Sequence, residues 1–103
     1  MNIFAHRGYC GLYPENTMIG FMKAHEAMSD GIELDVQLSK DGQVVIIHDE
    51  KVDRTTDKKG LVSHYTVKEL QTFNAAIHFP HISPFSPIPT FKEYCKWVQT
   101  TDL

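Results

Sequence analysis

Gly31-Ile32-Glu33-Leu34-Asp35-Val36-Gln37-Leu38-Ser39, then Lys40-Asp41-Gly42, then Gln43-Val44-Val45-Ile46-Ile47-His48-Asp49, is the stretch that decides the fold. Apolar and polar residues alternate through 31–39, which is the period of a strand with two unlike faces. Ile32, Leu34, Val36 and Leu38 share the apolar face; Glu33, Asp35 and Gln37 share the polar one. Lys40-Asp41-Gly42 is a hairpin signal. The β-branched run Val44–Ile47 returns as the partner strand and His48 ends it. A turn centred on Asp41-Gly42 sets Ile47 near Val36 and His48 near Asp35, a register that a one-residue slip would undo.

Working back from this hairpin, Ile3 to His6 reads as a short strand ending before Gly8, and 9–14 as a turn-rich loop. Asn16 or Thr17 can cap a helix. Phe21, Ala24 and Met28 give that helix its apolar stripe, and Asp30-Gly31 is the expected stop, near Ser29. Strand, helix, strand in this order predicts a βαβ unit with parallel pairing, hence an α/β class.

Working forward, residues 49–60 are rich in charge and Thr and read as a solvated loop. Thr66 with Glu69, and Thr90 with Glu93, each carry the spacing of a capping box before a short helix. Phe91, Tyr94 and Trp97 have helical spacing and are expected in the core. Residues 79–89 hold four of the five prolines and are expected to be irregular.

The 103 residues are enough for one domain, and 42% apolar content is that of a globular chain, not a disordered one. Ten basic residues against 13 acidic ones leave a formal charge of −3, which gives no reason to expect nucleic acid as a partner. No apolar run approaches the ~18 residues of a membrane span. The N-terminus lacks the pattern of a secretory signal. Cys10 and Cys95 fit no metal or redox spacing, and two free thiols in a reducing cytoplasm is the expectation. His78 and His81 lack the companions of a zinc site and are expected to be structural.

Glu33 and Asp35 carry the chemistry. On one face of a strand they stand roughly 6–7 Å apart, and two inward carboxylates repel unless something compensates. A hard divalent cation, Mg²⁺ or Ca²⁺, is the natural compensator. His48 joins that face through the hairpin, and His6 reaches it from the neighbouring strand. Arg7 follows His6, and a guanidinium fork suits phosphate oxygens. A cation to neutralise phosphoryl charge, and two histidines to take and give a proton, form a complete logic for phosphate-ester cleavage. The plainer alternatives are a solvated edge for Glu33 and Asp35, hydrogen-bonded structural roles for the histidines, and an ion pair of Arg7 with Glu33 or Glu15.

His6-Arg7-Gly8, Pro14-Glu15-Asn16-Thr17, the stretch 33–49, Val52 to Val62, Thr66 to Leu70 and Ile88 to Tyr94 together resemble, in order and spacing, the N-terminal portion of the glycerophosphodiester phosphodiesterase family. The resemblance implies a partial (β/α)8 barrel of the TIM type, a divalent cation, and hydrolysis of glycerophosphodiesters to glycerol 3-phosphate and an alcohol. It implies that His6 and His48 are the acid/base pair, Glu33 and Asp35 metal ligands, Arg7 a phosphate contact and Glu15 a pocket residue. Residues 1–103 form a single N-terminal unit in this reading, with an insertion-like segment at about 51–87 that shapes access. A further strand bearing another metal-binding Glu and a Lys is implied beyond the Thr90 helix. A barrel of this type takes about 250 residues, so the alternative is a non-catalytic module that self-associates or binds phosphate or metal. A homo-oligomer is expected if the natural chain is this short.

Overall fold

The computed structural model describes residues 4–103; Ile3, expected to open the first strand, lies outside them. Strand β1 (Phe4–His6) leads through a loop to helix α1 (Met18–Glu26), then to β2 (Gly31–Glu33). β1 and β2 pair in parallel, with His6 opposite Glu33. The βαβ unit read from the sequence is therefore present. Thr17 caps α1 by accepting the Gly20 N–H at 3.2 Å.

Three expectations for this part need correcting. The first is the stripe on α1. Phe21 and Ala24 are buried, but Met28 is 85% exposed. The helix has already stopped at Glu26, because Met28 adopts a left-handed backbone with φ 62°. The Met28 N–H donates to the His25 carbonyl and the Ser29 N–H to the Ala24 carbonyl. These two bonds are a Schellman ending that uses two carbonyls of the last turn, with Met28 where glycine is usual. The stop is thus set ahead of Asp30-Gly31.

The second correction concerns the long strand. The stretch 31–39 forms two short strands, β2 and β3 (Val36–Leu38), broken at Leu34-Asp35. β3 pairs antiparallel with β4 (Val44–Ile46). Val36 and Leu38, assigned to the apolar face, are 47% and 59% exposed. In its sheet β3 pairs with β4 alone, and it also packs against the 3₁₀ turn at Val62–His64.

The third is register. Val36 pairs with Ile46, and the Ile47 N–H donates to the Asp35 carbonyl at 3.0 Å. The shift by one residue comes from the turn. Ser39 and Gln43 close a three-residue loop, Lys40-Asp41-Gly42, with the Gly42 N–H bonded back to the Ser39 carbonyl. Gly42 sits at φ 77°, the left-handed position that ends such a loop as a bulge. The hairpin axis passes through Asp41 and not between Asp41 and Gly42.

The main core lies beneath β4. Val45 and Ile47 point to one side and pack with Val52, Val62, Leu70, Phe73, Ala75 and Ile88. Ile46 points to the other side and is also buried. The segment 51–87 therefore supplies most of this core. It contains a 3₁₀ turn at Val62–His64 and helix α2 (Val67–Leu70). Helix α3 (Phe91–Val98) follows, and both α2 and α3 carry the capping boxes predicted for Thr66 and Thr90. None of the α3 residues is fully buried, so its aromatic stripe is not core in the strict sense. It packs edge-on against α1 instead, with Tyr94 on Phe21 (ring centres 5.2 Å apart) and Trp97 on His25 (6.1 Å).

Candidate active site

The end of β1 makes the site. His6 and Glu33 are register partners, so their side chains leave one face together, and Nε2 of His6 stands 3.2 Å from Oε2 of Glu33. The chain then turns sharply: Arg7 has φ 55° and Gly8 φ 81°. A side chain at Gly8 would meet the Gly20 carbonyl carbon and the Phe21 ring, both 3.0 Å from an added Cβ. The left-handed Arg7 is held from both ends, its N–H by the Glu33 carbonyl (2.8 Å) and its carbonyl by the Asn16 N–H (2.9 Å). A non-glycine residue costs of order 1–3 kcal/mol in such a conformation, and strain of this kind gathers at functional sites.

That turn carries the Arg7 guanidinium to Glu15 (Nη1 to Oε2, 3.4 Å) and Asp35 (Nε to Oδ2, 3.4 Å). The alternative pairing with Glu15 is therefore present; the one with Glu33 is replaced by Asp35. Asn16, itself at φ 52° and only 3% exposed, donates its amide to the same Asp35 oxygen at 3.1 Å. Arg7 Nε and Asn16 Oδ1 are both buried without a well-aligned hydrogen-bond partner.

His48 arrives by another route. The observed partner of Asp35 is Ile47, so strand alternation does not set His48 beside Asp35 as expected. Its Nδ1 meets Oδ1 of Asp49 at 2.7 Å. Asp49 is gripped by Arg54 through Nε (2.9 Å) and Nη2 (3.0 Å). The other edge of Arg54 binds Glu15 at 2.8 and 3.0 Å. An unbroken series of charged contacts thus runs Asp35, Arg7, Glu15, Arg54, Asp49, His48. The hydrogen bonds from Arg54 hold the Glu15 carboxyl below its usual range and the Asp49 carboxyl at about 2, the latter helped by His48.

Arg54, Asp49 and Asn16 stand in quoted motifs of the sequence but carry no assigned role there. Asn16 shows as a possible helix cap and as part of the 14–17 motif, and Arg54 sits in a loop that reads as solvated. The available signal was an arginine, not another lysine, at the centre of that loop, since only a guanidinium can fork to two carboxylates. His78, expected to be structural, bonds the Arg54 carbonyl at 2.7 Å.

The donor set suits a hard cation in kind. Three carboxylates (Glu15, Asp35, Asp49) meet two guanidinium groups and a fourth, Glu33, meets His6, so carboxylates outnumber guanidinium groups by two. In number it is partial: among the described residues no group of three or more His, Cys, Asp or Glu converges on a metal position.

A βαβ start, a histidine-arginine turn at the carboxyl end of the first strand, Glu33 on the strand beside it and Asp35 just past that strand's end have the arrangement of the opening βα units of a βα-barrel, whose sites gather at the carboxyl ends of the strands. The chain belongs to the glycerophosphoryl diester phosphodiesterase family, whose model matches residues 6–103. It is 52% identical over 96 residues to the glycerophosphodiester phosphodiesterase of Bacillus altitudinis, covering 93% of this chain and 39% of that protein. With the glycerophosphodiester phosphodiesterase of Caldanaerobacter subterraneus subsp. tengcongensis it shares 45% over 101 residues, 98% of this chain and 42% of the relative. Among solved structures, the glycerophosphodiester phosphodiesterase of Agrobacterium tumefaciens superposes with TM-score 0.90 at 35% identity, covering 97% of this chain and 43% of that one. An Oleispira antarctica phosphodiesterase in complex with the product sn-glycerol-3-phosphate gives 0.91 at 34%, over 97% and 40% of the two chains. The chain therefore spans about two fifths of the length of these relatives, and its fold is the opening part of their barrel.

Proposed function

We propose that this chain carries the acid/base and phosphate-binding part of a glycerophosphodiesterase site, acting in hydrolysis of a glycerophosphodiester to glycerol 3-phosphate and an alcohol. The observation that carries the reading is the left-handed Arg7, fixed between the His6–Glu33 pair and the Glu15–Arg54–Asp49–His48 series. Its support from outside is the product held by the Oleispira relative.

Arg7 presents its guanidinium to the phosphate oxygens. One histidine takes the proton of the attacking water or hydroxyl as the new P–O bond forms. The other supplies a proton to the alkoxide as the P–O bond to the alcohol breaks. Glu33 and Asp35 would hold a divalent cation, Mg²⁺ or Ca²⁺, with other oxygen ligands completing its shell. When bound, such a cation supplies charge neutralisation at the phosphoryl oxygens. Glu15 is a pocket residue that balances Arg7 and Arg54. The segment 51–87 shapes access to the pocket.

Release of glycerol 3-phosphate from glycerophosphocholine or glycerophosphoethanolamine, with Mg²⁺ or Ca²⁺ and with chelator, tests this. His6→Ala and His48→Ala should each lower the rate about 10²–10⁴-fold, and chelator should abolish it. Turnover that survives either substitution rejects these roles.

Among the described residues no helix is long and apolar enough to cross a membrane. The free thiols Cys10 and Cys95 fit a cytoplasmic protein. If the natural chain is this short, the bare faces of Val36, Leu38 and Phe4 favour a homo-oligomer; a monodisperse monomer in sedimentation would contradict that.

A further inference from the structure

We propose that Arg54 is a positioning residue: through Asp49 it holds the His48 imidazole with its proton on Nδ1, which leaves Nε2 as the nitrogen that exchanges protons with substrate. This rests on the reading of His48 as an acid/base group, and it names the device that makes one nitrogen of that ring available.

The contacts fix the tautomer by elimination. Asp49 Oδ1 faces His48 Nδ1 at 2.7 Å and also accepts from Arg54 Nη2 at 3.0 Å, while Oδ2 accepts from Arg54 Nε at 2.9 Å. An ionised carboxylate can only accept. The proton in the His48–Asp49 contact therefore belongs to the ring, on Nδ1. In a neutral imidazole the other nitrogen then carries a lone pair and no hydrogen.

Geometry makes Arg54 the keystone. His48 and Asp49 are sequence neighbours and the pair is partly exposed, so nothing local prevents Asp49 from swinging into solvent. Arg54 prevents it with two bonds, and it is itself anchored by two more to Glu15. The backbone on the other side is pinned by Gln37, whose amide donates to the His48 carbonyl at 3.1 Å. A lysine would offer a point charge and could not span both carboxylates in one plane. Groups that orient a metal-bound imidazole from behind typically cost about 10–100-fold when removed, and a loss of that order is expected here.

The test is the ring-nitrogen spectrum of the ¹⁵N-labelled chain at pH 8, with Asp49→Ala and Arg54→Gln beside it. Wild type should show His48 with hydrogen on Nδ1 and a bare Nε2. Asp49→Ala should lose that pattern, and Arg54→Gln should reduce its population and lower kcat about 10–100-fold with a smaller change in KM. Asp49→Ala leaves the Arg54–Glu15 clamp in place, so it remains informative if Arg54→Gln does not fold. A wild-type His48 with hydrogen on Nε2 overturns the proposal, as does an unchanged pattern in either variant. The spectrum needs no turnover: a chain that shows this ring pattern but fails to hydrolyse glycerophosphodiesters defeats the functional reading, and with it the role of Nε2, while the hold of Arg54 on the tautomer stands.

Discussion

Arg54 and Glu15 lie 39 residues apart in sequence and meet through two parallel hydrogen bonds of 2.8 and 3.0 Å. The pair ties the loop after β1 to the segment after β4, and so holds the two histidine-bearing arms at a set distance. The same guanidinium binds Asp49, whose carboxyl it holds at about 2. An unfolded chain titrates Asp near 3.9. A carboxyl depressed on folding contributes stability that is present above the unfolded value and is lost as pH falls through the folded one. Arg54→Gln should therefore destabilise the chain at pH 6, by no more than about 1 kcal/mol because the contacts are half-exposed and screened. That difference should shrink between pH 4 and pH 2. Urea unfolding of both proteins at pH 6 and pH 2 measures it, and a gap of equal size at the two pH values counts against the assignment.

Asn16 is buried with a left-handed backbone, and its amide holds Asp35. Asn16→Ala removes the bond and leaves a Cβ residue at φ 52°. A loss of about 1–3 kcal/mol is expected. Asn16→Gly relieves the backbone alone and should recover part of it. Equal urea midpoints for the two variants would show that the backbone conformation carries no cost.

Met28 closes α1 in a conformation that glycine adopts freely, and its side chain is 85% exposed. Met28→Gly should stabilise the chain by about 0.5–1 kcal/mol. A lower thermal midpoint in the variant would mean that the Met28 side chain makes contacts worth more than the strain.

Leu70 is fully buried in the core that 51–87 builds against β4. Leu70→Ala should cost about 2–5 kcal/mol. If 51–87 were a detachable insertion, the β1–α1–β2 amides would keep their exchange protection in this variant. Loss of protection in both regions together shows a single cooperative unit.

The parts of the fold legible in the sequence are those specified within a few residues. Thr66 with Glu69 and Thr90 with Glu93 cap their helices because donor and acceptor lie three positions apart. The βαβ order follows from the change between period 2 and helical spacing. The candidate residues His6, Arg7, Glu33 and Asp35 were visible as chemistry at the ends of two neighbouring strands, and the parallel register brings His6 to Glu33. The hairpin was legible as a hairpin but not in register, because a two-residue and a three-residue loop differ by one left-handed glycine.

By itself the sequence determined which side chains were available, and in what order the strands and helices would come. Tertiary structure decided which of them meet: Arg7 with Asp35 and Glu15, Asn16 with Asp35, and His48 with Arg54 through Asp49. The physical reason is range. Caps and strand periods are set by neighbours along the chain, whereas an ion pair between Arg54 and Glu15 exists only once two distant loops have been packed side by side.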